Sequence, residues 1–181
     1  MQGLSYRFFL TVFVVGVLVG CGSGRSDNTS VSPVESATRD LSSSELAQSL
    51  SMVVYKDANC GCCGLWVEHM QQAGFDMAVE NTTQMHVMKQ QLGIQPEVQS
   101  CHTLVDQSSG YVFEGHIPAN IIQRFLANPP GDARGLAVPG MPIGSPGMEM
   151  EDRFMPYAVL LLKTDGSREV YAQVNTQQEQ Y

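Results

Sequence analysis

The residues best suited to chemistry in this sequence are sulfur-bearing, and they are crowded. Cys60-Gly61-Cys62-Cys63 contains a Cys-x-x-Cys pair (60 and 63) and a Cys-x-Cys pair (60 and 62), so three thiols are able to converge on one small volume. The thiolate form attacks disulfides and ligates soft metals, and the first turn of a helix favours it through the partial positive charge of unpaired backbone N–H groups. Two structural disulfides would be the bland explanation for Cys60, Cys62, Cys63 and Cys101 in an exported domain. Adjacent Cys62 and Cys63 argue against it, because neighbouring residues close a strained bridge, and a bridge from 60 to 63 adds little constraint to the unfolded chain. The distant Cys101 is followed by His102, and His116 follows Glu114-Gly115. Residues 138–150 then read Val-Pro-Gly-Met-Pro-Ile-Gly-Ser-Pro-Gly-Met-Glu-Met. Pro139, Pro142 and Pro146 keep Met141, Met148 and Met150 out of helix, so these methionines do not form a helical core stripe. Thioether sulfur suits Cu(I), whereas zinc prefers thiolate, imidazole and carboxylate, so the donor set points to copper. Gap filling against the core is the competing role for them. His69, and His86 with Met85 and Met88, fall at helical spacing and carry no assigned chemistry.

These residues need elements to position them. Residues 52–55 are β-prone, and Asp57-Ala58-Asn59 supplies turn and capping chemistry. A helix is expected over 62–73, with Trp66, Met70 and Ala73 on one face and Gly74 as its stop. A strand over 75–79, a helix over 83–92 closed by Gly93, and a strand over 101–106 follow. Residues 111–113 are expected to pair with that strand across a polar turn, and 117–126 to form a helix carrying Ile117, Ile121, Ile122, Phe125 and Leu126, ended by Pro129-Pro130. The order strand, helix, strand, helix, strand, strand, helix, with cysteines at the first strand–helix junction, is an α/β, thioredoxin-like mixed sheet with flanking helices. In that topology the start of the third core strand lies beside the first helix's N-terminus, which brings residues 100–103 next to Cys60. A Gly/Pro/Met-rich loop over 131–147 comes next, and then 157–163 and 169–174 flank Thr164-Asp165-Gly166-Ser167, a C-terminal β-hairpin added to the basic fold.

The chain as a whole has 181 residues, 43% of them hydrophobic and 15% charged, a globular rather than disordered balance. Its formal charge of −8, without a basic run, makes nucleic acid an unsuitable partner. Residues 1–20 read as a signal peptide: Arg7 precedes an apolar run from Phe8 to Val19. That run is shorter than the ~20 residues a membrane-spanning helix needs. Leu18-Val19-Gly20-Cys21 resembles the lipobox of bacterial lipoproteins, which would make Cys21 a lipidated anchor. Residues 21–44, rich in Ser, Thr and Gly, read as the lipidated cysteine and a flexible tether, leaving 45–181 as the folded domain.

Cys-Gly-Cys-Cys-Gly at a strand-to-helix turn, Ser-Cys-His-Thr, Glu-Gly-His-Ile-Pro and Gly-Leu-Ala-Val-Pro-Gly-Met-Pro-Ile-Gly-Ser-Pro-Gly-Met-Glu together resemble the CopG family of bacterial copper-resistance proteins, over about residues 53–174. (An unrelated family of DNA-binding repressors shares that name.) The resemblance implies a thioredoxin-like fold, residence in the periplasm and a role in copper tolerance, with redox cycling of bound copper between Cu(I) and Cu(II) and exchange with other periplasmic copper-handling proteins. Position by position, it marks Cys60, Cys62, Cys63, Cys101, His102, His116, Met141 and Met148 as the metal set. Three clustered thiolates exceed what one Cu(I) needs, so a multi-copper cluster with bridging sulfur is expected. Thioredoxins themselves differ, with two clustered cysteines and a proline before the third strand. The alternative function is a thiol-disulfide oxidoreductase in which Cys60 attacks and Cys63 resolves. In it Cys62, the Cys-His pair and the methionines have no task. An iron–sulfur cluster ranks third, since an exported chain would need that cluster delivered outside the cytoplasm.

Overall fold

The computed structural model describes residues 51–181. The expected signal peptide, Cys21, the tether and the start of the domain at residue 45 lie outside the described residues. The elements are β1 (Met52–Lys56), α1 (Gly61–Gln72), β2 (Ala78–Asn81), α2 (Met85–Gln91), β3 (Thr103–Asp106), β4 (Val112–Glu114), α3 (Ala119–Ala127), β5 (Ala133–Ala137), β6 (Tyr157–Lys163) and β7 (Arg168–Val174). The strands form one sheet in the order β2-β1-β3-β4-β5-β6-β7. β1 is parallel to β2 and antiparallel to β3, and β3 is antiparallel to β4. With α1 and α2 as crossovers this is the thioredoxin-like α/β arrangement that the order of elements predicts, extended by β5, β6 and β7.

Alternation along the strands divides the core between the two sheet faces. Leu104, Phe113, Val159 and Leu161 pack with Trp66, Val67 and Met70 of α1 and Ile121, Ile122 and Phe125 of α3. Their sequence neighbours Val105, Val112, Leu160 and Leu162 pack on the other face with Leu92, Ile94 and Val98, just beyond α2. β6 is apolar on both faces because it lies inside the sheet between β5 and β7.

Four expectations shift for identifiable reasons. The strand expected over 75–79 begins at Ala78, because Gly74, at φ 89°, and Phe75 close α1: their N–H groups donate to Gln71 O and Met70 O. Ala73, expected on the apolar face, is exposed at that end. β3 begins at Thr103, which leaves Cys101 and His102 on the approach to the strand rather than in it. Within the expected Gly/Pro/Met-rich loop, Ala133–Ala137 forms β5 between β4 and β6. Local propensity gives no hint of it, and packing between two strands decides it. A Cβ on Gly135 would stand 1.7 Å from Val112 O, so only glycine permits that pairing.

Candidate metal centre

The turn after β1 sets the first half of the site. Cys60 N–H donates to Asp57 O at 3.1 Å and Asn59 N–H to Asp57 Oδ1 at 2.8 Å, a turn that delivers Cys60 to the N-cap of α1. Cys62 and Cys63 then occupy its first turn, Cys63 fully buried and Cys62 half-buried. Cys60 and Cys63 are joined in a disulfide, and Cys62 Sγ lies 3.5 Å from Cys60 Sγ as a free thiol. The i to i+3 spacing at a helix start makes that bridge, and a sulfur in it is not a thiolate ligand until it is reduced.

The second half arrives from β3 and β4. All four sulfurs, of Cys60, Cys62, Cys63 and Cys101, lie within 4.8 Å of one another, and Cys101 also shares such a group with His102 and His116. Cys101 Sγ is 3.0 Å from His116 Nε2 and 3.3 Å from His102 Nδ1. His102 is fully buried between the chain's single tryptophan, Trp66 (ring centroids 4.3 Å apart), and His116 (4.9 Å, edge on). Burial, with His116 and Lys89 acting in the same direction, holds its imidazole well below the usual histidine range. Burial lowers His116 likewise. Both rings are therefore neutral at neutral pH and keep a lone pair for a metal. Burial and the neighbouring Cys62 push the Cys101 thiol up to about 12, so a metal taking that sulfur must displace its proton. His102 turns Nδ1 to Cys101, and its Nε2 is buried without a hydrogen-bond partner.

The Gly/Pro/Met-rich loop closes over this cluster with its backbone. Pro146 O accepts His116 Nδ1–H at 2.7 Å, which fixes the tautomer and aims the bare Nε2 at Cys101. Gly147, at φ 81°, lies so close to α1 that a Cβ there would meet Cys62 O at 2.6 Å and Trp66 N at 2.7 Å. The loop is also tied to the approach to β3: Gly140 N–H donates to Gln99 O at 3.1 Å, and Ser100 Oγ donates to Gly140 O. Among the methionines, Met141 (52% exposed) and Met150 (46%) face solvent and Met148 is partly buried.

Two solved structures are similar to this chain. Copper resistance protein CopG, form 1, is 42% identical with a TM-score of 0.64 and aligns over 69% of this chain and 97% of its own; form 2 is 40% identical, TM-score 0.65, over 70% and 98%. The chain belongs to the CopG family. A family model described as protein of unknown function, DUF411, matches residues 98–148, the stretch from the approach to β3 to Met148. No curated protein matches the chain.

This CopG-family site also includes residues that carry no role in the sequence reading. Glu114, fully buried, stands behind the Cys101–His102 segment and accepts the Ser100 N–H at 2.6 Å and the Thr103 hydroxyl at 2.6 Å. Gly115 (φ 80°) has to be glycine, since a Cβ would meet the Ser100 side chain and Val138 O at 2.6 Å. The signal available in sequence was the run Glu114-Gly115-His116, in which a charged residue sits inside a strand otherwise apolar. His69 accepts the Ala119 N–H at 3.1 Å and so ties α1 to the start of α3.

Proposed function

We propose that this CopG-family protein binds copper as Cu(I) outside the cytoplasm and contributes to copper resistance. Cys60, Cys62, Cys63 and Cys101 are the sulfur ligands, His102 and His116 the imidazoles, and Met141 and Met148 thioether donors at the loop. The observation that carries this reading is the double membership of Cys101: one sulfur stands within reach of three others and of two neutral imidazoles. Four sulfurs together with two imidazoles exceed even a four-coordinate Cu(I), so bridging thiolates and more than one ion per chain are the reading the donor count supports. Binding through all four requires reduction of Cys60–Cys63 by an external dithiol, which gives up two electrons and two protons, becomes a disulfide itself and leaves two free thiols. Residues 1–20 serve as the signal peptide and Cys21 as the lipid anchor that places the domain at a membrane facing the periplasm. Among the described residues no helix is long and apolar enough to cross one.

Anaerobic Cu(I) titration of the full-length protein, with and without prior reduction of its disulfide, tests the reading. The reduced form is expected to hold more than one copper per chain by elemental analysis, and the oxidised form fewer. The Cys60–Cys63 disulfide at a helix N-cap favours one competitor, the thiol-disulfide oxidoreductase. A reduced protein that stays copper-free yet reduces disulfides catalytically would put that function in place of copper binding.

Two further outcomes follow from particular residues. Cys21→Ser is expected to move the protein from the membrane fraction to the soluble one or to leave an uncleaved precursor; identical fractionation without lipid labelling of either form removes the anchor. Met141→Leu with Met148→Leu keeps size and apolarity at a stability cost under about 1.5 kcal/mol per site. If the thioethers donate, Cu(I) affinity falls in competition with a chelator while Zn(II) affinity holds. Unchanged Cu(I) binding leaves the loop a backbone role alone.

A further inference from the structure

Behind the cysteine cluster, on the opposite face of the sheet, lies an ion pair with no part in ligation. Lys89 of α2 is 3% exposed and Glu114 of β4 is 0% exposed. The Lys89 ammonium donates to Glu114 Oε1, and to Thr103 Oγ1 at 3.2 Å. Glu114 Oε1 also accepts the Ser100 N–H at 2.6 Å, and its Oε2 accepts the Thr103 hydroxyl at 2.6 Å. Thr103 and Glu114 are register partners, and they alternate in phase with Val105 and Val112, whose side chains pack beyond α2. His102 alternates in phase with Leu104 and packs on Trp66 of α1. Residues 100 and 103, which bracket Cys101 and His102, are thus gripped from one face while His102 meets the cluster on the other.

Stability does not account for such a pair. Taking two charges out of water costs more than their attraction commonly returns, and apolar residues of similar volume often serve as well or better. What an apolar pair lacks is an acceptor for the Ser100 N–H and the Thr103 hydroxyl.

We propose that the buried Lys89–Glu114 pair is a positioning element for the candidate metal centre: through Ser100 and Thr103 it sets the backbone that carries Cys101 and His102 against the Cys60–Cys63 turn. The Lys89 ammonium aims the carboxylate by donating to it, and Glu114 makes the connection to the loop. This inference rests on the copper reading for its consequence but not for its geometry, and the two are tested separately.

The double variant Lys89→Met/Glu114→Leu removes both charges and both acceptors, while Lys89→Met/Glu114→Gln removes the charges and keeps a carbonyl oxygen for Ser100. Both are compared with the parent as full-length protein, first without copper, by the yield with which a short bis-alkylating thiol reagent bridges Cys62 and Cys101. That yield reads loop position directly and needs no metal. The Leu double is expected to keep its circular dichroism and lose most of the bridging, with a fall of roughly ten- to a hundredfold in Cu(I) affinity, the usual scale for losing an orienting partner. The Gln double is expected to recover both to within about threefold. A folded Leu double that bridges like the parent overturns the proposal. Should the Leu double fail to fold, the Gln double decides, and a Gln double that folds like the parent but loses the bridging overturns the proposal equally. A parent that bridges Cys62 to Cys101 but binds no Cu(I) refutes the copper function and leaves the positioning role standing.

Discussion

Cys101→Ser is expected to lower Cu(I) affinity by roughly a hundredfold, about 2.8 kcal/mol, and to reduce the number of copper ions held per chain, while the metal-free fold persists. Cys101 belongs to both donor groups, the four-sulfur set and the Cys101–His102–His116 trio, so its loss detaches the imidazoles from the cysteine turn. Its contribution to folding is small. The thiol is half-buried, and the serine hydroxyl still donates to one of the two ring nitrogens that the thiol now meets at 3.0 and 3.3 Å. Competition against a Cu(I) chelator with elemental analysis gives the affinity and count, and circular dichroism gives the fold. A proton balance adds a separate check. Since the Cys101 thiol is pushed up to about 12, it is protonated at neutral pH, and copper binding must release that proton. The parent's affinity should therefore rise with pH near neutrality, by about tenfold per pH unit for each proton released, and the Ser variant should show a shallower rise. A Ser variant with parental copper count, affinity and pH slope would remove the β3 side from the site.

Gly147→Ala is expected to disable the centre without touching any ligand. The added Cβ would meet two backbone atoms of α1, Cys62 O at 2.6 Å and Trp66 N at 2.7 Å, at a φ of 81° that side chains rarely adopt. Neither partner is a flexible side chain, so the loop must lift. Lifting it withdraws Pro146 O from His116 Nδ1 and leaves a buried N–H unpaired. Backbone strain of about 1–3 kcal/mol and an unpaired donor of about 1–3 kcal/mol together predict a loss of about 2–6 kcal/mol in thermal or denaturant unfolding. Copper affinity should fall tenfold or more, roughly the effect of losing a partner that orients a ligating histidine. Gly140→Ala is the control within the same loop. It also has positive φ, at 68°, but a Cβ there meets nothing within 4 Å, so it should cost only about 1 kcal/mol and leave copper binding unchanged. Equal effects from the two substitutions would mean that loop strain, and not the seating of residue 147 on α1, governs the centre.

The sequence by itself determined whatever depends on short separations. Cys60, Cys62 and Cys63 lie within one helical turn of each other, so their convergence follows from the residue spacing once β1 and Gly74 bound the helix. Period-two and period-3.6 patterns gave most strands and helices, and their order gave the thioredoxin-like sheet and with it the approach of Cys101 and His102 to Cys60. The N-terminal segment, with its apolar run and Cys21, is read from sequence alone. Tertiary structure decided what depends on partners far apart in the chain. Ala133–Ala137 has no strand signal and becomes β5 because β4 and β6 hold it from both sides and Gly135 admits Val112 O. Spacing allows Cys60 to pair with Cys62 or Cys63, and only the helix geometry selects Cys63. Proline and methionine in residues 138–150 suggested side-chain donors, whereas the contacts that seat this loop are backbone ones, Pro146 O on His116 and Gly147 on α1, because a carbonyl direction and a missing Cβ are expressed only against the surface they meet. Lys89 and Glu114 lie 25 residues apart. A charged residue in a helix reads as solvated until the sheet register places its counter-charge beneath it.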